Sequence, residues 1–221
     1  MVLRRRTMFT IAIAALVPAF AGVNVVVGAT RAKRQQLSAE WAARGDRVLA
    51  EGHPLAAAED YGVAQEYARD RSQYRLQLAQ ALLAAGRFLE AHAQFETLWS
   101  ESPGDGLINL ELGRLAAHDG DVTDAIRYYH AAIDGAWNED AAAVRRRARL
   151  ELARFLIVRG DRTRAQAELI VLSEDPPRDP NALRELAALR VATGLDPIDA
   201  RPLPFDRRLR GFTPPRSRVT R

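Results

Sequence analysis

The chain has 221 residues, with 32 Arg and Lys against 28 Asp and Glu, and it has no cysteine. Without thiols it cannot form disulfides, zinc–thiolate sites or a cysteine nucleophile. The net charge is +4, but residues 1–34 carry +6, residues 35–200 carry −8 and residues 201–221 carry +6. The high pI therefore comes from the two ends, and the acidic middle argues against nucleic-acid binding by the folded part.

An uncharged segment follows the basic tail at residues 1–6. The 23 residues of the range 7–29 contain no Asp, Glu, Lys or Arg. As a helix they would measure about 34 Å, enough to cross a hydrocarbon core of about 30 Å. We expect a single transmembrane helix or uncleaved signal anchor at 7–29 and a linker at 30–37. An alternative stays open, because Ala19-Phe20-Ala21 fits a signal-cleavage site and cleavage would release a soluble exported protein.

The orientation of the predicted span depends on the short N-terminal tail. Three arginines precede the span, and they would have to cross the membrane if the N-terminus lay outside. Long domains, in contrast, translocate largely regardless of their charge. We therefore expect a single-pass bacterial inner-membrane protein with most of the chain in the periplasm. The opposite orientation would make it a membrane adaptor that faces the cytoplasm.

A repeat of 34 residues organises the middle of the chain. Gly52, Gly86 and Gly120 lie 34 residues apart, and Gly160 follows after six additional residues. The positions five and nine residues after each glycine repeat as well: Ala57 and Tyr61, Ala91 and Phe95, Ala125 and Tyr129, Ala165 and Leu169. A period of this length predicts a solenoid of helix-turn-helix units.

This pattern resembles the tetratricopeptide repeat. The copies lie at 38–71, 72–105, 106–139 and 146–179, followed by a partial fifth unit or cap at 180–200. The resemblance implies an all-α, right-handed superhelix over residues 38–194. Three departures stand out: Arg44 replaces the usual Leu, Trp137 replaces the terminal Pro, and the insertion at 140–145 predicts a wider turn.

In that family the first helix of each unit lines a concave face, which implies the surface that binds a partner. By position, this candidate surface consists of Gln73, Leu76, Gln80, Leu83, Leu110, Arg114, His118, Arg147, Leu150, Arg154, Ile157 and Arg184. Because guanidinium groups suit carboxylates, we expect a protein or peptide partner with an acidic, partly apolar segment. The alternative is that these arginines only pair with nearby acids such as Glu111 and Glu151.

The sequence contains no phosphate-binding loop, dinucleotide fingerprint or nucleophile elbow. We therefore expect no catalytic residue, no cofactor and no metal. The Arg- and Pro-rich tail at 201–221 is expected to be disordered, and it can contact anionic lipid headgroups. Together these features suggest a membrane-anchored scaffold for protein–protein interactions in cell-envelope assembly or maturation.

Overall fold

The computed structural model describes residues 27–138 and 140–196, and most of them are helical. The described residues form two compact units, which divide between Tyr128 and Tyr129. The described helices are α1 (27–50), α2 (Pro54–Tyr67), α3 (Ser72–Ala84), α4 (Phe88–Glu101), α5 (Gly106–Asp119), α6 (Val122–Asp134), α7 (Ala141–Val158), α8 (Arg162–Glu174) and α9 (Pro180–Thr193).

Each predicted turn glycine ends a helix in the left-handed backbone conformation. The φ angles of Gly52, Gly86, Gly120 and Gly160 are 86°, 73°, 84° and 81°. A side chain at these positions would strain the backbone, because L-residues rarely adopt positive φ. Gly194 ends α9 in the same way, with φ 87°. The predicted helix-turn-helix repeats are therefore confirmed, and α9 is the first helix of the partial fifth repeat.

The other repeated positions form the core of the hairpins. The alanine five residues after each turn glycine is fully buried at Ala57, Ala91, Ala125 and Ala165. The larger residue nine positions after the glycine is at most 4% exposed in all four copies. A small residue lets two helices approach closely, and a large one next to it fills the remaining space. The residues that recur along the sequence are thus those that pack the two helices of each hairpin together.

In the first unit, α1 packs on α2 through a polar contact where the repeat pattern usually has Leu. The Arg44 Nε atom lies 3.0 Å from Oδ2 of Asp60, whose side chain is 5% exposed. The Arg44 guanidinium also lies 4.7 Å from the centre of the Trp41 ring. This departure from the pattern therefore replaces an apolar contact by an ion pair between two helices.

Tyr61 connects three helices of the same unit. Its hydroxyl donates a hydrogen bond of 2.7 Å to Asp46 Oδ1 on α1, and Gln77 Nε2 on α3 donates to the same oxygen at 3.2 Å. Burial raises the pKa of the Tyr61 hydroxyl, and the hydrogen bond to Asp46 raises it further. Tyr61 therefore stays neutral over a wider pH range than a free tyrosine.

The second unit has its own apolar core. Leu150 and Ala153 of α7, Leu169 and Leu172 of α8 and Leu186 of α9 form one buried cluster. Trp137 stands where the repeat usually has Pro, and its ring N–H donates to the carbonyl of Ala132 at 2.9 Å. The indole therefore ends α6 by hydrogen bonding to the last turn of that helix.

Most of the insertion at 140–145 is helical. The connection from α6 to α7 at 135–140 is also longer than the connection from α2 to α3 at 68–71, so the insertion both widens the turn and extends the helix. Asp140 caps α7 by accepting a hydrogen bond from the Ala143 backbone N–H at 3.1 Å, and α7 runs for 18 residues from Ala141. Three consecutive alanines after the cap favour helix. Arg145 then ties the added turn back by donating to the Gly135 carbonyl at 3.0 Å. The extra residues lengthen α7, the first helix of the fourth repeat.

The N-terminal end of the described chain also differs from the prediction. Residues 30–37, predicted as a linker, are part of α1. Most of the predicted span, residues 7–26, lies outside the described residues, as do 1–6, 197–200 and the tail at 201–221. Among the helices that are described, none has the length and apolar composition needed to cross a membrane.

Candidate protein-interaction surface

The predicted surface residues of the first unit lie on α3 and α5. On α3, Gln73 and Gln80 are exposed and Leu76 and Leu83 are half-buried. Their spacing of three, four and three residues puts them on one side of the helix. This side of α3 therefore presents two amides and two partly accessible leucines.

The positions on α5 are less uniform. Leu110 is only 3% exposed, so it belongs to the core and its assignment to the binding surface is wrong. Arg114 pairs with Glu111 at 2.9 Å, as the alternative interpretation predicted. The exposed His118 ring stacks on Phe88 with 4.1 Å between the ring centres, and its Nδ1 lies 3.0 Å from Asp119 Oδ1. Arg114 and His118 are thus accessible but already engaged.

In the second unit the predicted residues of α7 form a stripe that faces α9. Leu150 is 4% exposed and packs against Leu186, so it too is a core residue and not a surface contact. Ile157 packs on the same cluster. Arg154 reaches across to α9, where its Nε lies 3.3 Å from Glu185 Oε1. The stripe therefore borders the contact between α7 and α9, which are the first helices of two adjacent repeats.

Arg147 and Arg184 stand at the N-terminal ends of the same two helices. Arg184 is exposed and donates hydrogen bonds to Asn181 Oδ1 and the Pro180 carbonyl within its own helix. Arg147 is also exposed, and its side chain forms no ion pair or hydrogen bond with another described residue. It is the one predicted arginine in the described chain whose guanidinium group is uncommitted.

The structure brings a further arginine to this end of α7 that the sequence analysis did not select. Arg178 lies in the loop between α8 and α9 and lines the same pocket as Arg147, together with Pro177 and Ala182. A signal for it exists in the sequence, because Pro176, Pro177 and Pro180 restrict the loop that carries Arg178. The sequence prediction of the binding surface used only the first helix of each repeat, so it did not include this loop residue.

The described residues show no arrangement typical of a metal site. Within 27–138 and 140–196, no three His, Asp or Glu side chains lie close enough together to hold an ion. The accessible polar groups of the two faces are amides, an imidazole and guanidinium groups. Such groups donate hydrogen bonds and attract anions, which suits recognition of another molecule.

The hairpins and their buried small residues define an α-helical repeat protein. Residues 76–141 match the family model of the tetratricopeptide repeat. No curated protein matches the chain. Proteins built from these repeats are generally non-enzymatic scaffolds for protein or peptide interactions.

Solved structures share the fold at low sequence identity. MamA from Desulfovibrio magneticus RS-1, residues 41 to the end, is 14% identical with a TM-score of 0.58, over 70% of this chain and 84% of that one. PilF of Pseudomonas aeruginosa is 13% identical with a TM-score of 0.58, over 72% and 70%. YrrB, described as having an unusual peptide-binding site, is 15% identical with a TM-score of 0.52, over 69% and 75%. These likenesses show the all-α repeat fold.

Proposed function

We propose that this chain is a membrane-anchored scaffold whose repeats bind a protein partner during assembly or maturation of the bacterial cell envelope. The observation that carries the proposal is the series of repeated helical hairpins with arginines on their first helices. Repeated hairpins provide a long surface for another chain. The similarity to YrrB, a protein with an unusual peptide-binding site, supports a peptide or an extended protein segment as the partner.

The charges on the first helices suggest an acidic segment. Arg114, Arg147, Arg154 and Arg184 occupy these helices, and each is exposed or half-buried. The ion pair of Arg154 with Glu185 is at the surface, with 54% and 37% of the two side chains exposed, and such pairs contribute about 0–1 kcal/mol. A partner carboxylate can therefore replace Glu185 at little cost. Half-buried Leu76, Leu83 and Ile157 offer apolar contacts beside them.

The proposed anchor is the uncharged segment at 7–29. It is long enough to span a bilayer as a helix. The exposed helical residues 30–37 follow it directly and advance by about 12 Å at 1.5 Å per residue. In the proposed arrangement this helical stretch holds the first repeat away from the lipid headgroups. The repeats then lie on the periplasmic side of the inner membrane, and the basic 201–221 tail is available to anionic lipids.

Partner binding is tested by placing a photo-crosslinking residue at Gln80 or Arg154 and identifying products from membranes by mass spectrometry. The captured partner is then used in pull-downs with an Arg114→Glu, Arg154→Glu double variant, which we expect to reduce capture by about tenfold or more. The matched control is Arg127→Glu, because Arg127 also loses a surface pair, with Asp124, but lies on α6. Equal capture by all three proteins would refute the proposed surface.

The anchor and the orientation have separate tests. A measured intact mass that corresponds to a chain beginning at Met1 supports the anchor, whereas a mass that corresponds to a start at Gly22 would favour a soluble exported peptide carrier instead. Proteinase added to spheroplasts should digest the repeats if they are periplasmic. Protection until the membrane is lysed would place them in the cytoplasm and would leave the binding proposal intact.

A further inference from the structure

A small pocket in the second unit combines apolar residues with two guanidinium groups. It lies between the N-terminal end of α7 and the loop that leads into α9, and its volume is about 270 Å³. Its lining includes the apolar residues Ala143, Leu150, Pro177 and Ala182, and the arginines Arg147 and Arg178. We name it the Arg147–Arg178 pocket.

The acidic side chains that also line the pocket are already engaged. Asp140 accepts a hydrogen bond of 3.1 Å from the Ala143 backbone N–H, and Asp179 accepts one of 2.8 Å from the Ala182 N–H. These contacts cap α7 and α9, so the two carboxylates balance the partial positive charges of two helix N-termini. They therefore do not neutralise the arginines by contact.

The remaining charged side chain, Arg146, is also paired. Its Nη1 atom lies 2.7 Å from Asp175 Oδ2. Arg147 and Arg178, in contrast, form no side-chain ion pair or hydrogen bond with any residue in the described ranges. Two unpaired guanidinium groups that line one pocket leave a local excess of hydrogen-bond donors, which an anion can satisfy.

The backbone around Arg178 is restrained before any ligand arrives. Pro176 and Pro177 precede it, and Pro180 follows as the first residue of α9. Proline fixes φ and restricts the residue before it, so this loop has few alternative conformations. Less entropy is therefore lost when Arg178 engages a ligand.

We propose that the Arg147–Arg178 pocket binds an Asp or Glu side chain of a partner polypeptide, with an adjacent apolar side chain of that partner against Ala143 and Ala182, the half-buried apolar residues of its lining. The inference rests on the proposed peptide-binding function and names the site for the acidic residue. A guanidinium group binds a carboxylate through two parallel hydrogen bonds. The pocket is smaller than the ~300–1,000 Å³ of most small-molecule sites, which suits one side chain of a longer chain.

Charge complementarity also decides against the tail of the same chain as the occupant. Residues 201–221 contain seven arginines and one aspartate, so they carry the same sign as the pocket. A second copy of the chain has acidic segments and is an alternative occupant. In that case the full-length chain would self-associate through this pocket.

The test is a selection from a random dodecapeptide phage library against the full-length chain and against its Arg147→Gln, Arg178→Gln double variant. We expect wild-type protein to enrich peptides with Asp or Glu next to Leu, Ile, Val or Phe, and the variant to lose this enrichment. The control is Arg162→Gln, an exposed arginine at the start of α8 outside the pocket. Circular dichroism of the variants checks that they fold.

A selected peptide is then labelled, and its affinity is measured by fluorescence anisotropy. Replacing its acidic residue by the neutral amide and replacing both arginines should each weaken binding by about tenfold, and the two changes together should weaken it little further. Selected peptides without acidic residues, or unchanged affinity of the double variant, would overturn the pocket while peptide binding stands. If no peptide is enriched, both proposals fail. If the wild-type chain is a dimer in solution and the double variant is a monomer, the pocket mediates self-association and the peptide proposal is overturned.

Discussion

Replacing Gly45 by Ala tests the close contact between α1 and α2. Gly45 is a buried residue inside α1. A Cβ atom there would lie 2.7 Å from Cε1 and 2.9 Å from Cδ1 of Tyr61. The Tyr61 ring is 1% exposed, and its hydroxyl is held by Asp46. The ring therefore has no free space into which it can move without losing a hydrogen bond.

Two opposing effects determine the size of the change. Alanine in a helix interior is favoured over glycine by about 1 kcal/mol. Overpacking of a well-packed core costs about 1–3 kcal/mol, and contacts below 3.0 Å on a fixed ring should put Gly45→Ala at the upper end. We expect a net loss of roughly 1–2 kcal/mol, which corresponds to a melting temperature lower by about 2–8 °C for a chain of this size.

Thermal and urea unfolding, followed by circular dichroism at 222 nm, measure this loss. Gly62→Ala is the matched control, because Gly62 lies inside α2 and its Cβ would meet nothing within 4 Å. That variant should be more stable by about 0.5–1 kcal/mol. In a Tyr61→Leu background, Gly45→Ala should no longer destabilise the protein. Equal stabilisation by both glycine replacements in the otherwise native chain would refute the close approach of α1 to Tyr61.

Two further predictions concern the core of the first unit. Ala91→Arg should destabilise the protein by about 3 kcal/mol or more, because it forces a charge into a fully buried position. The control Ala93→Arg, on the exposed side of α4, should change stability by less than about 0.5 kcal/mol. Similar urea midpoints for the two variants would contradict the alignment of the repeats. Above pH 10, Tyr61 stays protonated in the folded chain and ionises on unfolding, so stability should fall as pH rises. Tyr61→Phe should make this fall shallower in urea titrations at different pH values, and an unchanged slope would argue against the raised pKa.

The turns and core of the repeats could be predicted because their determinants are local. A helix end with positive φ requires glycine at the same position of every repeat, and the buried alanine follows five residues later. The alternative interpretation of the arginines also predicted the pairing of Arg114 with Glu111, since residues three apart on a helix are neighbours. None of these inferences needs knowledge of how distant segments pack.

The insertion shows where local reasoning was insufficient. Residues 140–145 have a capping Asp followed by three alanines, which is a helix start, but comparison with the repeat length predicted only a wider turn and not a longer helix. The cap and the bond from Arg145 to Gly135 decide that they extend α7. The same reliance on repeat boundaries produced a linker at 30–37, where α1 is continuous.

The sequence by itself determined the period, the helical class and the uneven charge of this protein, because hydrophobic spacing and backbone preference act within a few residues. Only the tertiary structure decided which arginines are accessible and unpaired. Leu110 and Leu150 follow the same register as the predicted surface yet are buried, because neighbouring helices cover them. Arg147 and Arg178 lie 31 residues apart in the chain, and they share a pocket since the packing of α7, α8 and α9 brings the α8–α9 loop to the start of α7.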